Sequence, residues 1–305
     1  MKPLLIGVGS LLLLIGAMDG ALSLVGLGDP VLLQEDRDSG YVLKPNQNHY
    51  RFLVRTRINS HSMRSDQFSG QKQIGTYRIM FVGDSITYGT TRVDQSHIFT
   101  EILHRELPSI VHMPVEVLNA SANAWGIPNE YGYVRSRGTF GSDAVVLVLN
   151  DGDFSQTKST ITDVGTQLYF TKPACALCEL AGHYTQSHKQ DKGTTNERDL
   201  AQEASNLRDL NALQELVHAN HAAFLIMFVP FRKNVPNSSA RVIQPELLTW
   251  AESNKVPVID STQKLGSLTI SQASIDGGTH LSPTGNISVA RAFESFAEHG
   301  LAEKN

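Results

Sequence analysis

From residue 77 onward, short apolar runs alternate with longer segments of helical periodicity, and this alternation restricts the possible folds more than any other feature. The clearest apolar run is residues 144–149 (AVVLVL), which is typical of a strand covered on both faces. The clearest helical segment is residues 197–219, where leucine, alanine and valine recur every three or four positions. Strands and helices that alternate in this way predict a parallel sheet with helices on both faces.

The pattern predicts five strands and five main helices. The strands are expected at residues 78–82, 115–118, 144–149, 224–229 and 256–259. The helices are expected at residues 96–107, 129–137, 197–219, 245–253 and 283–297, with Pro108 ending the first. We therefore predict a three-layer α/β/α sandwich around a five-stranded parallel sheet. In such a sheet the functional groups gather at the carboxyl ends of the strands.

The first 28 residues differ from the rest because they are almost entirely apolar. Lys2 precedes a charge-free stretch that runs to Met18, and after Asp19 the chain stays apolar to Gly28. About 20 apolar residues span a bilayer. We favour a retained membrane anchor over a cleaved secretory signal, and a buried helix of a cytosolic protein is the third alternative. Both of the first two interpretations place the rest of the chain outside the cytosol, membrane-anchored or secreted to the periplasm or medium.

Two further segments are set apart by composition. Residues 29–75 are expected to form a lead-in with short strands at 41–43 and 50–57, separated by a turn at Pro45 and Asn46. Residues 76–305 are expected to form the main domain. Residues 153–196 form a long polar insertion within it, and a loop of that length is often functional.

The charge and the cysteines exclude some classes of protein. The formal net charge is −4 and there is no long basic run, so we expect no nucleic-acid partner. The chain has two cysteines, Cys175 and Cys178, which are too few for a disulfide scaffold. Their spacing to His183 and His188 is like that of a small zinc knuckle. A local disulfide or free thiols are the alternatives, and we predict no metal.

Polar clusters follow the predicted strands in chain order. Gly83-Asp84-Ser85 follows the first strand, and Asn119 to Gly126 follow the second. Asn150-Asp151-Gly152 follow the third, and Asp276 to His280 lie near the C-terminus in a loop that can reach the same edge. Together they supply a nucleophile, an amide side chain, backbone donors and a histidine near a carboxylate, which are the parts that acyl transfer needs.

The order and spacing of these blocks resemble those of the SGNH hydrolases, also called the GDSL esterase/lipase family, over about residues 77–300. The resemblance implies the SGNH type of flavodoxin-like fold, and it implies that Ser85 is the nucleophile and His280 its base. It also implies an oxyanion hole made by the backbone N–H of Ser85, an N–H of the second block and the side-chain amide of Asn150. No cofactor is needed for this chemistry.

Two positions depart from the family pattern. The family usually has glycine five residues after the asparagine of its second block, and this chain has Ala124 there, with Gly126 two residues later. Either N–H is a candidate donor. The family acid usually lies three residues before the histidine, where this chain has Gly277; Asp276 lies four before. We predict that the flexible Gly277-Gly278 lets Asp276 orient the imidazole, with a backbone carbonyl as the alternative.

The functional prediction is therefore an exported serine esterase that acts through an acyl-enzyme on Ser85. The resemblance implies small acyl groups, such as acetyl, on a carbohydrate or lipid ester as candidate substrates, with the N-terminal segment holding the protein at a membrane. Two alternatives remain: an acyltransferase onto glycan hydroxyls, and a non-catalytic glycan- or lipid-binding module on the same scaffold. Composition does not predict the oligomeric state.

Overall fold

The computed structural model describes residues 2–164, 168–187, 200–235 and 243–300. The strands are β1 (Leu33–Asp36), β2 (Gly40–Leu43), β3 (Gln47–Arg51), β4 (Val54–Ile58), β5 (Tyr77–Gly83), β6 (Val115–Ser121), β7 (Ala144–Leu149), β8 (Ala223–Phe228) and β9 (Val258–Asp260). The helices are α1 (Lys2–Leu24), α2 (Ser85–Tyr88), α3 (Phe99–Val111), α4 (Ile127–Arg137), α5 (Ile161–Val164), α6 (Ala176–Ser187), α7 (Leu200–Ala219), α8 (Pro245–Ser253), α9 (Thr262–Gly266), α10 (Ile270–Ala273) and α11 (Pro283–Gly300).

The five predicted strands form one parallel sheet in the order β6-β5-β7-β8-β9. Alternate residues of each strand face opposite sides, so two separate cores form. One core packs β-strand residues such as Met80 and Leu147 against α4, α7 and α8. The other packs residues such as Phe81 and Val146 against α3 and α11. The predicted three-layer α/β/α sandwich is confirmed, and all six residues of β7 are buried, as its unbroken apolar run requires.

The first long helix of the sheet domain differs from its prediction at both ends. Helix α3 begins at Phe99, whose N–H donates to the side chain of Asn286 at 2.9 Å. The helix also continues through Pro108 to Val111. A proline within a helix removes one hydrogen bond and costs about 3 kcal/mol. Leu107 and Val111 are both buried in the core, and their burial on either side of the proline offsets that cost.

The lead-in forms two antiparallel hairpins. Strands β1 and β2 pair with each other, as do β3 and β4. Residues 50–57 were predicted to be a single strand, which is wrong: the chain turns back at Phe52 and Leu53. The first hairpin lies against α4, where the side chain of Asn129 donates to the carbonyl of Ser39 at 2.8 Å. Tyr41 of this hairpin is buried in the core, and its carbonyl accepts from the indole N–H of Trp125 at 3.0 Å.

The described part of the insertion contains α5, α6 and a disulfide between Cys175 and Cys178. This disulfide excludes those two sulfurs as free metal ligands, and His188 lies outside the described residues. Helix α6 lies against α1. Residues Gly7–Leu24 of α1 are long and apolar enough, with a mean hydropathy of 1.7, to cross a membrane by length and composition. None of that window is buried inside the protein.

Candidate active site

The nucleophile candidate Ser85 lies on a tight turn at the carboxyl end of β5, the second strand from one side of the sheet. Asp84 caps α2, and its Oδ1 accepts from the N–H of Ile86 at 2.8 Å. Gly83 is required by packing, because a Cβ there would lie 2.2 Å from the hydroxyl of Thr87 and 3.0 Å from the carbonyl of Val148. The turn therefore presents the Ser85 hydroxyl at the carboxyl ends of the strands, where the polar segments that follow the other strands also lie.

The structure brings the three predicted side chains into one hydrogen-bonded chain. His280 Nε2 lies 3.0 Å from Ser85 Oγ. His280 Nδ1 lies 2.5 Å from Asp276 Oδ2. The imidazole thus has the serine on one nitrogen and the carboxylate on the other, which is the arrangement of a general base held in the correct tautomer.

The loop from Ser274 to Leu281 explains how an acid four residues before the histidine reaches it. Gly277 and Gly278 adopt φ values of 79° and 112°, which are favourable for glycine and strained for other residues. The N–H of Ile275 donates to the carbonyl of His280 at 3.0 Å and closes the loop. The two left-handed glycines take up the extra residue relative to the family spacing, and the Asp276 carboxylate faces the imidazole.

Two residues that the sequence analysis did not single out hold Asp276 in place. The hydroxyl of Ser274 donates to Asp276 Oδ1 at 3.1 Å and accepts the N–H of Gly278 at 2.8 Å. The guanidinium of Arg92 lies 3.1 Å from Asp276 Oδ2. The Ser-x-Asp spacing is a signal for such a side-chain turn. No local signal identifies Arg92, which lies 184 positions away in the chain.

The carboxylate of Asp276 is stabilised in its charged form. Partial burial raises its pKa, but hydrogen bonds from the imidazole and backbone N–H of His280 outweigh this effect and lower the pKa to about 2. The backbone bond, from His280 N to Asp276 Oδ1, measures 2.8 Å. Asp276 therefore stays negatively charged across the neutral and acidic range in which a histidine base is used.

Asn150 lies near Ser85, and both of its amide groups, in the backbone and in the side chain, are hydrogen-bonded. Its side-chain N–H₂ donates to Asp84 Oδ2 at 3.0 Å, and its Oδ1 accepts the N–H of Gly152 at 2.7 Å. Its backbone N–H donates to Asp153 Oδ2 at 2.7 Å. Because an amide N–H₂ has two protons, one proton of Asn150 remains for an oxyanion.

The two candidate donors of the second block have different surroundings. The N–H of Gly126 donates to the side chain of Asn129 at 3.1 Å, which caps α4. The N–H of Ala124 has no acceptor within the described residues. Ala124 has a φ of 59°, in the left-handed region where the family pattern places glycine. The side chain of Asn119, in contrast, is buried and donates to the carbonyl of Thr87 at 2.7 Å, which is a structural role.

Three buried carboxyl groups lie close to one another near Ser85: Asp84, Glu130 and Asp153. Burial raises the pKa of Asp84, and burial together with the nearby charge of Asp84 raises the pKa of Glu130 and Asp153 well above their usual values. Both oxygens of Glu130 are buried without a hydrogen-bond partner in the described part of the chain. The raised pKa values of Glu130 and Asp153 favour their neutral forms, which limits the negative charge near Ser85.

A cavity of about 230 Å³ lies between the lead-in, the insertion and the segments that hold the site. Its lining includes Tyr88 of α2 and Asn123, the neighbour of Ala124. Apolar side chains of the lead-in, among them Leu33 and Leu43, form another part of its wall. Within the described residues, no group of three or more His, Cys, Asp or Glu side chains is arranged to hold a metal ion.

Comparison with known proteins gives likenesses of fold. No family model matches the chain, and no curated protein matches it. Among solved structures, a member of the lipolytic protein G-D-S-L family from Veillonella parvula has 15% identity over 71% of this chain and 95% of that one, with a TM-score of 0.42. A lipase/acylhydrolase from Enterococcus faecalis has 15% identity over 73% and 95%, with a TM-score of 0.44.

A third solved structure, a psychrotrophic esterase from Pseudoalteromonas sp., has 10% identity, covers 75% of this chain and 99% of that one, and gives a TM-score of 0.45. All three are described as lipolytic proteins, acylhydrolases or esterases. At these identities the likeness concerns the fold alone.

Proposed function

We propose that the protein is a serine ester hydrolase that forms an acyl-enzyme on Ser85. The observation on which this depends is the continuous hydrogen-bonded chain from Ser85 through His280 to Asp276, with distances of 3.0 and 2.5 Å. The three groups come from two loops nearly 200 residues apart in the chain. Their order of nucleophile, base and orienting acid is the arrangement that acyl transfer requires.

In the first half of the reaction, Ser85 Oγ attacks the ester carbonyl carbon while its proton moves to His280 Nε2. The tetrahedral intermediate then collapses, the bond to the alcohol oxygen breaks, and the proton on Nε2 goes to that oxygen. In the second half, water attacks the acyl carbon and gives its proton to Nε2, and Ser85 leaves with that proton. Asp276 remains ionised throughout and stabilises the imidazolium that forms in each half.

The negative oxygen of the intermediate requires donors on the opposite side of the carbonyl from His280. We assign this role to the N–H of Ser85, the N–H of Ala124 and the second side-chain proton of Asn150. Ala124 is preferred over Gly126 because the Gly126 N–H already donates to Asn129. Loss of one such donor typically lowers kcat by about 100- to 1000-fold.

The substrate we propose is an ester of a small acyl group, such as acetyl, on a carbohydrate or lipid outside the cytosol. The cavity of about 230 Å³ next to α2 is smaller than the roughly 300–1,000 Å³ of pockets for drug-sized ligands, which suits a short acyl chain. The exposed apolar helix α1 supports a location at a membrane, and we propose that it is retained as an anchor.

The direct test is labelling by a fluorescent fluorophosphonate, which traps only an activated serine. Wild-type protein is expected to be labelled, and Ser85→Ala is expected to lose the label. Ser155→Ala is the matched control, because Ser155 is exposed and lies outside the hydrogen-bonded chain. Equal labelling of wild type and Ser85→Ala would refute the assignment of the nucleophile. No labelling of the wild type would favour a non-catalytic binding module.

A further inference from the structure

An exposed apolar patch surrounds the end of α1. It has no role in the proposed chemistry of Ser85, His280 and Asp276. Its members are large apolar side chains exposed to solvent: Leu24, Val25, Tyr50, Phe52, Leu53 and Leu180. We propose that this patch lies in the interfacial layer of a lipid bilayer and fixes the enzyme on the membrane surface. The proposal rests on the proposed retention of α1 as an anchor.

The first argument is the tip of the β3–β4 hairpin. A two-residue hairpin loop with positive φ at both positions strongly prefers Asn-Gly or a similar polar pair. Here the two residues are Phe52 and Leu53, with φ values of 48° and 66°. Left-handed conformations cost about 1–2 kcal/mol for each non-glycine residue. The side chains are nevertheless 55% and 82% exposed, and the contact of the Arg51 guanidinium with the Phe52 ring, at 5.7 Å from its centroid, offsets only part of that cost.

The second argument is that the patch is continuous with α1. The N–H of Phe52 donates to the carbonyl of Val25 at 2.8 Å, and the guanidinium of Arg51 donates to the carbonyl of Gly26 at 2.7 Å. Arg51 also forms a 2.6 Å ion pair with Glu179 of α6, whose side chain is fully buried. These bonds tie the hairpin, α6 and the end of α1 into one surface.

The third argument is the length of α1. At 1.5 Å per residue, about 20 residues are needed to cross a hydrocarbon layer of about 30 Å. Counted from Lys2, this length ends near Leu22, directly before the first members of the patch. Asp19 then lies within about one turn of the boundary, where its carboxylate accepts the N–H of Leu177 at the start of α6, at 2.9 Å.

The patch is therefore at the depth where lipid headgroups meet the acyl chains. Aromatic side chains such as those of Tyr50 and Phe52 are enriched at that level. The 230 Å³ cavity is lined by Arg51 and Glu179 at the side of the patch and by Tyr88 and Asn123 at the side of the site. The proposed substrate is thus an ester presented at the membrane surface.

The experiment measures depth by fluorescence quenching. Full-length protein is reconstituted in phosphatidylcholine vesicles, with or without bromine on the lipid acyl chains, and a tryptophan is introduced by Phe52→Trp. Leu14→Trp, within α1, is the control for full immersion. Ile74→Trp is the control for exposure to water, because Ile74 is fully exposed and precedes β5 at the opposite edge of the sheet. Trp125 and Trp250 are buried, and the wild type gives their background.

We expect brominated lipid to quench the fluorophore at position 52 to a degree between the two controls. The proposal would be overturned if position 14 were strongly quenched while position 52 were quenched no more than position 74. Absence of quenching at position 14 would overturn both the anchor and the patch. If position 52 were unquenched by lipid and also shielded from acrylamide in detergent, the patch would be covered by a second copy of the chain, and the proposal would be wrong.

These outcomes are independent of the proposed chemistry. Fluorophosphonate labelling of Ser85 is measured on the same samples and does not depend on where position 52 lies. Lipid quenching without labelling would leave the membrane patch intact and remove the hydrolase. Labelling without quenching would retain the hydrolase and remove the patch.

Discussion

The replacement Asp276→Asn tests the part of the site in which this chain departs from the usual family spacing. Asparagine has nearly the same shape, but it carries no charge and its amide group does not fix the His280 tautomer in the same way. Where a buried acid orients a catalytic histidine, this change lowers kcat by about 10⁴-fold. Asp276 is partly exposed, with 22% of its side chain accessible, so water screens part of its effect. We expect a decrease in kcat/KM of roughly 10²- to 10⁴-fold.

The same variant has a stability signature that follows from the lowered pKa. A decrease from 3.8 to about 2 corresponds to about 2 kcal/mol at full strength, and to about 1 kcal/mol after allowance for solvent screening. Because the folded-state pKa lies below the unfolded one, this stabilisation is present above about pH 4 and is lost as the pH falls towards 2. Asp276→Asn is expected to be less stable than wild type at pH 7 and equal to it near pH 2.

The assays are kcat/KM for p-nitrophenyl acetate, the rate of inactivation by a fluorophosphonate, and urea unfolding at several pH values. Asp38→Asn is a matched control, because Asp38 forms an ion pair with Arg135 away from the site. If Asp276→Asn kept more than about a tenth of the wild-type activity, a role for Asp276 in orienting His280 would be refuted. The backbone carbonyl alternative would then be favoured.

Three further changes test the surroundings of the site. Glu130→Gln should gain stability relative to wild type as the pH rises in urea unfolding, since the raised folded-state pKa of Glu130 means that wild type loses stability once the pH exceeds the ordinary value of 4.5; a difference that stays constant with pH would contradict a raised pKa of Glu130. Ala124→Gly should raise the Tm by about 1–3 °C with activity retained, because it relieves a positive φ at the cost of a more flexible unfolded chain; a lower Tm would argue against strain at this position. Gly278→Ala should lower kcat/KM more than Gly277→Ala, because an added Cβ would lie 2.7 Å from the backbone of Lys233 only at position 278; equal losses would show that backbone conformation alone matters.

The parts of the structure that were predictable are those in which local sequence and buried environment agree. Strand β7 has the bounds that its apolar run predicts, because any strand covered on both faces must be apolar throughout. Helix α8 likewise begins at Pro245 and ends at Ser253, as its proline and its spacing indicate. The prediction for residues 50–57 is wrong because Phe52 and Leu53 are poor turn residues by local rules.

The sequence by itself determined which chemical groups follow which strands, because strand ends and short motifs are local features. It thereby placed Ser85, Asn150 and His280 near one edge of the sheet. Only the tertiary structure decided that Asp276 reaches the imidazole, since this depends on the left-handed Gly277 and Gly278 and on contacts to Arg92. It also showed that the Gly126 N–H is already bonded and that apolar side chains surround the end of α1. Backbone conformation and contacts between distant segments have no local signature, and for this reason spacing alone left these points open.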